Sequence, residues 1–399
     1  LPLPACLWGA LETGGPEAGP DEPVLAGVVS QYRLEPRHQG ISPAGTAVDP
    51  ELALAWKSDA FAIGNYTASK SSPAVDEYRI YVGVDDGRLL ALDRDDGSLQ
   101  WAFETERFQV EMDKMGGEDR KHHGIHGTPA FDEDSVYVGD YSGYLYAVDR
   151  ESGEMRWQSK LGGSIGASPV LYDGYIFIAV EYPTPDGRIY VLHSDNAQVV
   201  YATEYLGNHP HSSVSLDPER GFMFVGANNG LFFCFDFVRR REVWRYQTGA
   251  EIKSTAAVVG DTVYITSWDE KLHALDIETG EKRFEFAADG ASMSSPSYHQ
   301  GRIYFGVDDG RLYCVDAADG ELIWSYRTYG IIASSPTVVP QTGVVVVGSR
   351  DHHLYMVDAD QGDLLWSAEL DGMVTSVPVA VDRSLFVNDD SGTVFCFES

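Results

Sequence analysis

Imidazole and ammonium groups are scarce in this chain, so their positions are where metal or anion chemistry would be sought. There are 11 His, and 29 Lys and Arg stand against 61 Asp and Glu. His122 and His123 precede His126 in a His-His-x-x-His run, and His209-Pro210-His211 adds a His-x-His pair. Both spacings are compatible with a transition metal held by ring nitrogens. Lys70 and Lys253 can supply charge to an anionic ligand. Tyr141 and Trp268 offer flat faces for stacking. No nucleophile and base stand out. The many Ser residues recur at one position of each internal repeat, which marks them as part of the fold's grammar rather than as catalysts.

The elements that must position these residues come from a repeat. Its clearest copies run from Tyr81 to Trp101, Tyr137 to Trp157 and Tyr304 to Trp324, and successive copies are 40 to 56 residues apart. That period belongs to a four-stranded propeller blade. Apolar and polar residues alternate within each copy, and Asp-Gly or Ser-Gly pairs mark hairpin turns. A Ser/Thr-rich entry precedes each copy and reads as the innermost strand, A; strands B, C and D follow, with a Trp on D. Inner-strand entries near Ser72, Thr128, Ser168, Ser213, Thr255, Ser295, Ser335 and Val377 predict eight blades. The last lacks a D strand, while Leu52 to Trp56 has a D-strand pattern with nothing before it. Pairing of that N-terminal strand with the C-terminal blade would close the ring and remove exposed edges. The expected fold is therefore all-β, an eight-bladed propeller of antiparallel four-stranded blades over residues 51–399, with a loop insertion at 104–125. Trp56, Trp101, Trp157, Trp244, Trp324 and Trp366 are expected to be structural plates between blades.

In such a ring the residue two before each inner-strand Ser/Thr faces the mouth of the central channel. Those residues are Lys70, His126, Gly166, His211, Lys253, Met293, Ala333 and Thr375. Tyr141 and Trp268 share one position in the B–C hairpins of the same face. Three readings stay open: a merely solvated mouth; an anion site using Lys70, His126, His211 and Lys253 with Tyr141 and Trp268; and a metal site drawn from His122, His123, His126, His209 and His211.

The net charge of −32 argues against nucleic acid or an anionic membrane as partner. The carboxylates are spread over all blades, which fits a coat adapted to high salt better than a single acidic docking surface. Cys234, Cys314 and Cys396 occupy one C-strand position in separate blades, too far apart for disulfides, and read as small buried hydrophobes. Residues 1–50 read as a flexible Gly/Pro/acidic leader or tether. Within it Leu3-Pro4-Ala5-Cys6 looks like the end of a lipoprotein signal, so Cys6 is a candidate for lipidation and the only expected link to a membrane.

The repeats resemble the PQQ-like propeller repeat; Asp276 to Gly280 and Asp316 to Trp324 carry the resemblance most closely. One branch of that family comprises quinoprotein alcohol dehydrogenases, which bind pyrroloquinoline quinone and calcium in the funnel. Another comprises non-catalytic eight-bladed scaffolds of the BamB type. This chain has no adjacent cysteines and no Cys-x-x-Cys-His haem motif, and its layout is closer to the scaffolds. The acidic coat looks like that of haloarchaeal relatives. The resulting expectation is a monomeric, extracytoplasmic, non-catalytic scaffold, at the cell surface or secreted, that binds a protein partner or small anionic ligand at the funnel face. The alternatives are a quinone- or metal-dependent oxidoreductase using the His/Lys funnel, and a lipoprotein solute-binding module.

Overall fold

The computed structural model describes residues 30–33, 35–61, 71–105 and 124–399. Their 32 strands form eight separate four-stranded sheets, each antiparallel. Blades 1 to 7 each take four consecutive strands, from Ala74–Val75 in blade 1 to Leu364–Glu369 in blade 7. Blade 8 combines the last three strands with Ala53–Lys57, which pairs antiparallel with Val394–Glu398. The ring is thus an eight-bladed β-propeller closed by its two chain ends, and the closure covers the C strand of blade 8, which would otherwise be an open edge. No helix in the described residues is long and apolar enough to cross a membrane.

Each blade is a hydrophobic plate between two others. Its B and C strands are almost wholly buried, while D strands alternate exposed and half-buried residues, as in Leu322–Arg327. The seams are fastened at two radii. At the outside, the tryptophans cross from one blade to the next. Trp101 Nε1 donates to Arg150 O at 3.3 Å, Trp324 Nε1 to Ala359 O at 3.1 Å and Trp366 Nε1 to Leu52 O at 3.1 Å. Each of several rings lies on the next blade's C–D turn glycine: Trp56 on Gly97, Trp101 on Gly153, Trp244 on Gly280, Trp324 on Gly362. Those glycines have φ between +71° and +75°, so they serve both the turn and the close approach of the indole. Across the C–D ladder, Trp244, Trp324 and Trp56 face Cys234, Cys314 and Cys396. All three thiols are buried and free.

At the innermost radius the Ser/Thr entries form a chain of hydrogen bonds. Ser72 N–H donates to Thr128 Oγ1, Thr128 N–H to Ser168 Oγ and Ser168 N–H to Ser213 Oγ. The series continues through Thr255 and Ser295 to Ser335, and Val377 N–H returns to Ser72 Oγ. Blade 8 has Val377 where the others have a hydroxyl.

Residues 30–33 and 35–48, read as flexible leader, are instead laid across the far ends of the A strands. Ser30 O accepts from Phe131 N–H, Gln31 Oε1 from Leu171, Pro36 O from Leu216 and Arg37 O from Val258. Gln39 O then accepts from Tyr298 and Gly40 O from Val338, and Ala47 N–H donates to Asp382 O. The strap therefore visits blades 2 to 8 in turn. Arg33 and His38 are buried in it; Arg33 Nη2 donates to Pro296 O at 2.7 Å, and the His38 ring nitrogens lie 2.8 Å from Tyr32 O and 2.9 Å from Val214 O. A Gly/Pro/polar composition signals a linker only if its backbone polar groups stay in water; here A-strand amides take them up.

Candidate functional site

The face opposite the strap carries a funnel of about 350 Å³. Its wall is built from the D–A loops and the B–C turns, and the two are stitched together within each blade. Tyr141 N–H donates to Gly124 O, Trp268 N–H to Glu251 O and Arg350 N–H to Ile331 O. The hydroxyl chain forms the constriction below. Tyr32, from the strap, reaches up to it, with its hydroxyl 3.2 Å from Ser295 Oγ and 3.3 Å from Ser335 Oγ, and forms the floor.

The structure brings His126, His211, Lys253, Tyr141 and Trp268 into one lining, together with Gly166, Met293, Ala333 and Thr375. Lys70, His122, His123 and Cys6 lie outside the described residues. Within the lining His126, Lys253 and His211 each have a carboxylate behind them. His126 Nε2 is 2.8 Å from Asp85 Oδ1, and its ring packs on Tyr141 at 4.2 Å between centroids. Lys253 Nζ is 3.0 Å from Glu251 Oε2 and 3.6 Å above the Trp268 ring centroid, a cation–π contact. His211 Nδ1 is 3.0 Å from Glu181 Oε1, and His209 Nδ1 is 3.7 Å from Glu181 Oε2. The three described members of the basic arc expected from sequence are thus each paired with a carboxylate.

Of the five histidines read as metal candidates, His209 and His211 come together, and Glu181 joins them; one ligand atom from each lies within 4.8 Å of the others. His126 is turned instead to Asp85 and Tyr141. Burial pushes the Tyr141 phenol well above its ordinary range, and the carboxylates of Glu181 and Asp85 push the same way, so it stays neutral.

Sequence reasoning missed Arg350, Asp85, Glu181 and Tyr32. Arg350 and Asp85 were within reach, because they occupy the hairpin position already noted for Tyr141 and Trp268, as do Asn228 and Asp308. Two donors in this lining have no hydrogen-bond partner among the described residues although the atoms are buried: Arg350 Nε and Trp268 Nε1. Beside them, burial raises the Asp308 carboxyl above its usual range, and the nearby Arg350 charge opposes the rise.

The family described as outer membrane protein assembly factor BamB matches residues 109–221, 233–337 and 330–399. The protein of that name from Moranella endobia is 23% identical over 269 residues, 64% of this chain and 66% of that one. A quinone alcohol dehydrogenase subunit from Gluconacetobacter polyoxogenes is 23% identical over 287 residues, 66% of this chain and only 34% of that one. The crystal structure of BamB from Moraxella catarrhalis superposes with a TM-score of 0.67 at 18% identity, covering 87% of this chain and 98% of that one. The blades, the ring closure and a match along most of the chain agree: this protein belongs to the BamB family of outer membrane protein assembly factors.

Proposed function

We propose that this protein is a non-catalytic, extracytoplasmic scaffold whose funnel takes up an anionic group, carried by a small carboxylate or phosphate ligand or displayed by a protein partner. The observation that carries the reading is the pair of buried, unpartnered donors, Arg350 Nε and Trp268 Nε1, in one lining with the Lys253 ammonium. An unsatisfied buried donor costs about 1–3 kcal/mol, which an acceptor brought by a ligand would recover. The Ser/Thr hydroxyls support the non-catalytic part, since seven inner entries are engaged in inter-blade bonds. The related assembly factors support a protein partner. Extracytoplasmic placement and tethering through Cys6 rest on the lipoprotein-like Leu3 to Cys6 stretch, and the acidic coat supports a high-salt setting.

The quinone-enzyme relatives raise a second reading, with pyrroloquinoline quinone and calcium in the funnel. The donor set here does not fit that pair. Calcium needs several oxygen ligands free to converge, whereas Asp85, Glu181 and Glu251 stand behind three different lining side chains, His126, His211 and Lys253.

The test is thermal unfolding of the full chain in concentrated sodium chloride, with acetate, succinate, citrate and inorganic phosphate titrated separately. A concentration-dependent rise in Tm with at least one of them supports the reading; a flat response to all four contradicts it. Dye reduction that requires added quinone and calcium would overturn the non-catalytic assignment.

A further inference from the structure

Blade 3 departs from the other blades on the funnel side. Its B and C strands, Tyr175–Tyr182 and Asp186–His193, have eight residues each, against five and six in blade 1. The longer hairpin raises Glu181 beside the following D–A loop, to which the loop is locked. Leu206 N–H donates to Gly187 O at 3.0 Å, and Gly207 N–H to Asp186 Oδ1 at 2.9 Å. Pro210 packs where a Cβ on Gly187 would come within 2.2 Å of its Cδ, so only glycine admits it. His209 and His211 flank that proline and are held by it against the hairpin.

The hydrogen-bond logic at this junction is unbalanced. His209 Nε2 lies 3.0 Å from Tyr182 O. A carbonyl only accepts, so Nε2 carries the hydrogen and Nδ1 is the ring atom left facing Glu181 Oε2, 3.7 Å away. That gap is too long for a hydrogen bond. The Glu181 side chain is only 7% exposed, and its Oε1 has no hydrogen-bond partner among the described residues even with His211 Nδ1 at 3.0 Å. Ligand atoms around a tetrahedral ion with bonds of about 2.0–2.2 Å stand roughly 3.3–3.6 Å apart; the separations of 3.0 and 3.7 Å straddle that range. The bond from His209 Nε2–H to a backbone carbonyl is the outer contact that metal-ligating histidines make.

We propose that Glu181, His209 and His211 bind a divalent transition metal ion of the zinc class at the funnel wall. Two imidazoles and one carboxylate select such an ion over calcium or magnesium. Three protein ligands leave a coordination position open, and His211 lines the funnel, so that position is supplied from the funnel. The site stands independently of the anion reading, because its residues are separate from Arg350, Trp268 and Lys253.

The experiment uses the untagged full chain, freed of metal by chelator dialysis. Zinc is titrated calorimetrically, and cobalt(II) by visible absorption. The wild type should take up one ion per chain, with cobalt bands from nitrogen and oxygen ligands and no thiolate charge-transfer band. Glu181→Gln and His211→Asn should each weaken zinc binding by at least about tenfold, while His126→Asn leaves it unchanged; circular dichroism checks that each variant is folded. Should the variants fail to fold, wild-type histidine nitrogen NMR decides, since zinc must shift the Nδ1 signals of His209 and His211. Absence of saturable binding would show that a proton, not a metal, fills the gap, and overturns the proposal. So would unchanged binding in Glu181→Gln, loss of binding in His126→Asn, or histidine signals that zinc leaves in place.

Discussion

The backbone N–H of Val377 donates to the hydroxyl of Ser72 at 2.8 Å, so the last blade meets the first through the same bond that joins the other blades. The converse bond is not available at the next seam, because Val377 offers no hydroxyl to Ser335. The funnel's constriction is thus a ring of polar inter-blade bonds with one apolar step. This accounts for Ser and Thr recurring at blade entries without any catalytic duty.

Ser168→Ala should destabilise the protein by about 1–3 kcal/mol, since it leaves the buried Thr128 N–H without its acceptor. Val377→Thr keeps the shape, supplies the missing hydroxyl and should be neutral or stabilising by up to about 1 kcal/mol. Chemical denaturation of both variants checks the pair; a destabilised Val377→Thr would count against the ring's role.

At the outer seam, Trp324→Ala should cost about 3–5 kcal/mol, because the ring is 9% exposed and packs on Gly362. Gly362→Ala should also destabilise, since φ is +75° and the new Cβ would come within 2.6 Å of the indole. Leu364→Ser, at a residue 47% exposed, should stay within about 0.5 kcal/mol of wild type. Equal losses at Leu364 and Trp324 would contradict the seam account.

The blades, their number and the closure were legible because turn glycines, alternation and the seam tryptophans are local signals repeated at a fixed period. The funnel positions followed from that register, so His126, His211 and Lys253 could be placed by counting. The strap was not legible. Many of its contacts run from backbone to backbone, as from Leu216 N–H to Pro36 O, and those made by Gln31, Arg33 and His38 follow no repeated spacing. Glu181 was hidden among 61 acidic residues; only the lengthened hairpin of blade 3 marks it. The contact of His126 with Asp85 joins residues from two different blades' loops, which no single repeat displays.

Stability should fall with acid through His38. Burial lowers its pKa from 6.5 to about 4, with the Arg33 charge adding to the effect and the carbonyls of Val214 and Tyr32 opposing it. A neutral ring has one N–H and donates to only one of the two carbonyls, but full burial outweighs the lost bond and keeps the folded ring neutral, while the unfolded chain takes a proton below about pH 6.5. This contribution is present in full above pH 6.5, is lost as pH falls toward 4, and amounts to about 3 kcal/mol. Tm should drop more between pH 7 and 4.5 in wild type than in His38→Gln; parallel curves would exclude His38 as the cause.

A net charge of −32 repels itself most when screening is weak. Tm should rise as sodium chloride increases from tens of millimolar toward molar. A flat or falling Tm would contradict the reading of the acidic surface as a high-salt coat.

Citrate binding to the funnel tests the central claim most directly, by isothermal titration into wild type and Arg350→Gln in concentrated sodium chloride. The account predicts saturable one-site binding to the wild type, weakened by about tenfold or more when the guanidinium is removed. Equal citrate affinity in both proteins, or absence of binding to the wild type by citrate and by each of acetate, succinate and phosphate, would contradict it.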